Sequence, residues 1–169
     1  SLRRILKGRH IPDARAREWM ARKNRYYQEM IARLTPDDVL PGVLSLLEEI
    51  HRAKMKVAVA SASKNAAAVI ERLELFPRID ALCDGHSVDR PKPAPDLFLY
   101  AARALDTLPG RCVVIEDAQA GIEAARAAGM WAVALGPVAR FRGAHLVLPS
   151  LADTHLGDIL HRLQTIAES

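Results

Sequence analysis

The sequence predicts an α/β fold: a Rossmann-like parallel sheet covered by helices, preceded by a small helical domain. Three observations carry this. After residue 42, helical stretches alternate with short apolar runs, the pattern of parallel strands joined by crossover helices. The runs Val57-Ala58-Val59-Ala60 and Cys112-Val113-Val114-Ile115 contain no charged or amide residue, as strands buried on both faces require. Before residue 35 the periodicity is helical throughout.

In order along the chain, Leu2, Ile5 and Leu6 suggest a short first helix. A longer one runs from Asp13, an N-cap candidate, to Leu34, with Trp19, Lys23, Tyr26, Tyr27 and Met30 at three- and four-residue steps. Thr35 to Gly42 is a break, because Pro36, Pro41 and Gly42 cannot continue a helix. It divides residues 1–36 from an α/β core over residues 37–169. The core reads as helix Val43–Arg52, strand Val57–Ala60, helix Asn65–Leu73, strand Ile79–Cys83 and helix Asp96–Leu105. It continues with strand Cys112–Ile115, helix Ala118–Ala127, strand Trp131–Leu135, strand His145–Leu148 and helix Leu156–Ile166.

At 169 residues, half of them hydrophobic, the chain can bury one core and carry a small accessory domain. No apolar run nears the roughly 20 residues of a membrane span, and the basic opening is not followed by a secretory apolar run. The expectation is a soluble cytoplasmic protein without a membrane partner. Cys83 and Cys112 lie in apolar runs without CxxC spacing and read as reduced buried thiols. Net charge is +4, yet residues 1–34 hold ten Lys or Arg against three Asp or Glu. That basic segment could meet nucleic acid, a phosphorylated small molecule, or only water. No nucleic-acid partner is expected, since no binding motif is present and the aromatics fall at helical spacing.

In an open parallel sheet, ligands bind beyond the carboxyl ends of the strands. Three of those ends carry chemistry. Ser61-Ala62-Ser63-Lys64-Asn65 opens a helix with hydroxyls, backbone N–H groups and a cation, which suits an anion and equally suits an ordinary N-cap. Lys92 stands between Pro91 and Pro93 in Arg90-Pro91-Lys92-Pro93-Ala94-Pro95-Asp96, either a point charge fixed for phosphate or a solvated side chain on a rigid connection; Asp96 can cap the helix that follows. Glu116 and Asp117 follow a buried strand and offer hard oxygens for Mg²⁺, although Asp117 could merely cap the next helix.

Taken together, a strand ending in Ser, a proline-flanked Lys and a strand ending in Glu-Asp before a Gly-containing helix resemble motifs two to four of the haloacid dehalogenase superfamily. Lys92 to Phe98 and Glu116 to Ile122 are similar to its subgroup with a helical cap. Ser61 to Asn65, Arg22-Lys23-Asn24 with Tyr27, and Asp38 to Gly42 resemble the β-phosphoglucomutase branch. The resemblance implies catalytic roles for Lys92 and Ser61. It implies a phosphorylated hexose held by Ser61, Ala62, Ser63, Lys64, Asn65 and Lys23, and Mg²⁺ held by Glu116 and Asp117. Tyr27 would contact substrate or only pack.

The same resemblance implies a preceding strand with paired aspartates, one of them phosphorylated during turnover, and nothing here matches it. The expectation is therefore that this chain is part of a longer product, with residues 1–36 a partial cap. The absent strand should lie between those ending in Ser61 and Glu116. Two unpaired buried edges at about 1–3 kcal/mol per group would exceed a stability of roughly 5–15 kcal/mol, so the chain alone is expected to be inactive. For the whole protein, acting as a monomer, the expected reaction interconverts β-glucose 1-phosphate and glucose 6-phosphate through a bisphosphate. A sugar-phosphate phosphatase is the alternative within this class. A non-catalytic remnant that binds a phosphorylated ligand or a partner protein is the alternative outside it.

Overall fold

In the computed structural model, residues 13–168 are described. The short helix expected at Leu2 to Leu6 lies outside them. Helix α1 (Asp13–Ala32) stops two residues before Leu34; Arg33 and Leu34 close a turn onto Met30 and Ile31. Its only buried residue is Ile31, and it packs on helix α3 (Ala66–Arg72). The break is ordered by its own chemistry, since the Asp38 carboxylate accepts the Thr35 N–H at 2.9 Å around a tight turn over Pro36–Asp38. Gly42 then enters α2 (Val43–Arg52) at φ 85°. A Cβ there would stand 1.8 Å from the Leu151 carbonyl oxygen, so only glycine fits.

The remaining elements are β1 (Ala58–Ala60), β2 (Ala81–Cys83), α4 (Asp96–Ala104), β3 (Val113–Glu116), α5 (Gln119–Ala127), β4 (Trp131–Leu135), β5 (Leu146–Leu148) and α6 (Leu156–Ala167). Every pairing is parallel, as expected. One continuous sheet is not formed among the described residues. Instead β1 pairs with β2, and β3–β4–β5 make a second piece. Between them β1 and β3 line a cavity of about 780 Å³, with Val57 to Ala60 on one side and Cys112 to Glu116 on the other.

Strand β4 shows how the layers assemble. Alternate side chains point to opposite faces, and Ala132 and Ala134 meet Phe98, Ile122 and Ala125 of α4 and α5. Val133 turns the other way, into a cluster with Leu46 of α2 and Ile159 and Leu163 of α6. Small residues on both sides of the contact, Ala132 and Ala134 against Ala124 and Ala125, let α5 approach the sheet closely. Helix α4 covers the β1–β2 piece through Leu97 and Ala101 against Cys83. The outcome is helices on both faces of parallel strands, with every polar strand end at one edge.

Candidate active site

The loop after β2 carries Lys92 across the gap. Its Nζ donates to the Ala60 carbonyl at 3.1 Å, at the end of β1, and is ion-paired with Glu116 Oε1, at the end of β3. The Phe98 ring lies 4.4 Å below the ammonium. With the Lys92 and Glu116 side chains only 12% and 11% exposed, this is a partly buried pair and not a solvated lysine. Pro91 and Pro93 limit the loop, and the Lys92–Pro93 bond is cis.

Glu116 is the last residue of β3, paired opposite Ala134, rather than a residue beyond the strand. Its Oε2 accepts the Asp117 and Ala118 N–H groups at 3.1 and 3.2 Å. Helix α5 is entered from Ala118, so Asp117 is not its cap and its exposed carboxylate lies outside the helix. Asp96 does not cap α4 either. Pro95 holds that position, and Asp96 Oδ1 takes Arg90 Nε at 2.9 Å, bracing the lysine loop.

At the end of β1, Ser61 N–H donates to the Cys83 carbonyl at 2.9 Å. The Ser61 hydroxyl accepts the Ser63 N–H at 3.1 Å, and the Ser63 hydroxyl accepts the Asn65 N–H at 3.2 Å. Two amides expected for an anion are therefore spent in forming the loop, while both hydroxyls keep a proton to donate. Asn65 takes the N-cap position of α3 without a side-chain cap bond. Its amide instead donates to Asn24 Oδ1 on α1 at 3.4 Å, which brings the Arg22-Lys23-Asn24 segment to this loop. Lys23, Lys64 and Ala62 are exposed around the same loop, and Tyr27 is 38% exposed.

Chemically, the edge gathers one held cation, two hydroxyls and two adjacent carboxylates. No group of three or more His, Cys, Asp or Glu that could hold a metal occurs among the described residues. Glu116 and Asp117 fit a hard ion in kind, as carboxylate oxygens, and Mg²⁺ draws its remaining ligands from water or phosphate. Burial raises the thiol pKa of Cys83 and Cys112, Cys83 with help from Asp84, which keeps both poor nucleophiles. Sequence reasoning gave no role to Phe98, Gly121 or Asn24. All three stood inside the motifs that were singled out, but their contacts are tertiary.

The helix-covered parallel sheet and its polar strand ends define an α/β protein with a candidate ligand site at the carboxyl edge of the strands. A model of the haloacid dehalogenase-like hydrolases matches residues 4–129, and the chain belongs to that family. It is 42% identical over 149 residues to the β-phosphoglucomutase of Bacillus subtilis, covering 88% of this chain and 66% of that protein. The fructose-1-phosphate phosphatase of Escherichia coli is 40% identical over 107 residues, which is 62% of this chain and 57% of that one. Among solved structures, the β-phosphoglucomutase of Clostridium difficile superposes with a TM-score of 0.90 at 31% identity, covering 99% of this chain and 77% of the other. The chain thus spans somewhat under two thirds of the length of these curated relatives. No described helix is long and apolar enough to cross a membrane.

Proposed function

We propose that this chain supplies the phosphate- and metal-binding groups of a Mg²⁺-dependent phosphosugar mutase, interconverting β-glucose 1-phosphate and glucose 6-phosphate. The observation that carries the reading is Lys92, whose ammonium spans the ends of β1 and β3 beside Glu116. A cation held there neutralises the charge that gathers on a transferring phosphoryl group and its acceptor, at no cost of reorganisation. The Ser61 and Ser63 hydroxyls donate to phosphoryl oxygens from the facing loop. Glu116 and Asp117 would hold Mg²⁺, which would supply charge neutralisation for the phosphoryl group. Helix α1, as the cap, brings Lys23 toward the sugar phosphate. The edges of β1 and β3 face one cavity, lined in part by Ala60 and Glu116.

Hydrolysis is the second reading, favoured by the identity to a sugar-phosphate phosphatase and by the exposure of α1 along nearly its whole length. Phosphorus NMR of β-glucose 1-phosphate with Mg²⁺, a trace of the bisphosphate and the product of the complete natural gene separates the two. Conversion to glucose 6-phosphate supports the mutase. Release of inorganic phosphate supports the phosphatase, and no change in either signal refutes both.

A further inference from the structure

We infer that Gly121 is a positioning residue: its missing side chain makes room for the Glu116 carboxylate, so that positions 116 and 121 form one size-matched unit that holds Lys92. The inference rests on the roles given above to Lys92 and Glu116. A Cβ at position 121 would lie 2.1 Å from Glu116 Cδ, 2.3 Å from Oε1 and 2.6 Å from Cγ, all closer than real Cβ contacts come. Gly121 is not among the glycines at positive φ, and it lies within α5, where glycine costs about 1 kcal/mol against alanine. Neither backbone conformation nor helix propensity asks for glycine here. Space for the carboxylate does.

Glu116 cannot step aside without loss. Its Oε2 is held by two backbone N–H groups and its Oε1 by Lys92, so a side chain at 121 displaces all three contacts together. The surroundings are closed, since Gly121 and Ile122 are both buried. By contrast, Gly110, Gly129, Gly143 and Gly157 have open space where a Cβ would stand. The unit also explains why the strand ends in Glu rather than Asp. An Asp carboxylate, shorter by one C–C bond of about 1.5 Å, would not reach under α5 to the seat beside Gly121. Its carboxyl carbon would fall near the Glu116 Cγ position, 2.6 Å from a Cβ at 121, and makes way for alanine by turning about χ1, which costs it none of the three contacts that Glu116 holds.

That reciprocity is the test. Gly121→Ala, Glu116→Asp and the double variant are compared in the product of the complete gene by the Lys92 ammonium ¹⁵N signal, circular dichroism and kcat. Gly121→Ala should remain helical, lose the slowly exchanging Lys92 signal and fall about 100-fold in kcat. Glu116→Asp alone should also fall. The double variant should stand at least about tenfold above the product of the two single effects, as contacting residues do when one change relieves the other. A double variant at or below that product, or a Lys92 signal unchanged in Gly121→Ala, overturns the inference. If Gly121→Ala does not fold, restoration of the fold by Glu116→Asp decides in the same sense. Absence of phosphoryl transfer in the unsubstituted protein would remove the functional reading alone, because the coupling in the Lys92 signal needs no turnover.

Discussion

Replacing Lys92 by methionine removes a cation that bridges the ends of the two sheet pieces, and the size of the effect follows from what surrounds it. The ammonium donates to Ala60, pairs with Glu116 and sits over Phe98. A hydrogen bond to a backbone carbonyl contributes about 1 kcal/mol, and a mostly buried carboxylate left without its cation loses about 1–3 kcal/mol more. The cost stays below the 3–5 kcal/mol typical of a broken buried pair, because Oε2 keeps two backbone donors and the thioether still packs on Phe98. Lys92→Met should therefore lose about 3 kcal/mol, or about 6–12 °C in Tm for a chain of this size. Phosphoryl transfer should fall about 10²–10³-fold. The assay is thermal unfolding followed by circular dichroism, with turnover read by phosphorus NMR. Adding Glu116→Gln to Lys92→Met removes the stranded charge and should return part of the lost Tm while leaving turnover low. If Lys92→Met melts within 1–2 °C of the unsubstituted protein, the pair bears no weight and the account of the gap is wrong.

The His155 and Glu49 side chains join at 2.8 Å, and Glu49 also accepts the first N–H of α6, from Leu156, at 2.6 Å. Hydrogen bonding to Glu49 raises the His155 pKa above its ordinary 6.5, and bonding to His155 and Leu156 lowers the Glu49 pKa below its ordinary 4.5. The histidine contribution is complete below pH 6.5 and fades as pH rises through the higher folded value. The glutamate contribution is complete above pH 4.5 and fades as pH falls through the lower one. The urea midpoint of the unsubstituted protein should thus exceed that of His155→Gln most between pH 4.5 and 6.5, and a difference that grows above pH 8 contradicts the pairing. Ile122→Ala, at a residue with no exposure, should cost about 2–5 kcal/mol in urea unfolding. Leu108→Ala, at a residue 71% exposed, should stay within about 0.5 kcal/mol. Gly129→Ala, at φ 72° with open space around it, should cost about 1 kcal/mol. Gly42→Ala, which meets the Leu151 carbonyl, should cost clearly more in the same measurement.

Much of the architecture was legible because it is periodic. Val43–Arg52 and Trp131–Leu135 were expected with the bounds they have, since strong patterning fixed both ends. Strand β2 is shorter than read: Ile79 closes a tight turn onto Phe76, and the Asp80 carboxylate accepts the Val57 N–H, so pairing starts at Ala81. Glu116 and Ser61 drew notice as polar residues at strand ends, where no core requirement explains them, and Lys92 as a lysine between two prolines. What spacing alone could not supply was their mutual contact. Twenty-four positions separate Lys92 from Glu116, and their meeting depends on parallel strands that end at one edge and on Phe98 of α4 packing beneath the ammonium.

The contact also bears on the gap itself. Lys92 draws a strand-end carbonyl and a strand-end carboxylate onto one cation while the apolar flanks of β1 and β3 stay apart. With Lys92 and Glu116 neutralising each other, the pair places no net charge at the mouth of the cavity. An additional carboxylate there would change that balance: one lysine would then serve two anions, and under the proposed function a divalent cation beside Glu116 and Asp117 would offset the excess negative charge. If Glu116 and Asp117 hold Mg²⁺ as proposed, its affinity is not set by those two residues alone. It should rise with each carboxylate or phosphate brought to the end of the gap and fall with each removed, and titrating Mg²⁺ with and without a bound phosphate ester measures that dependence.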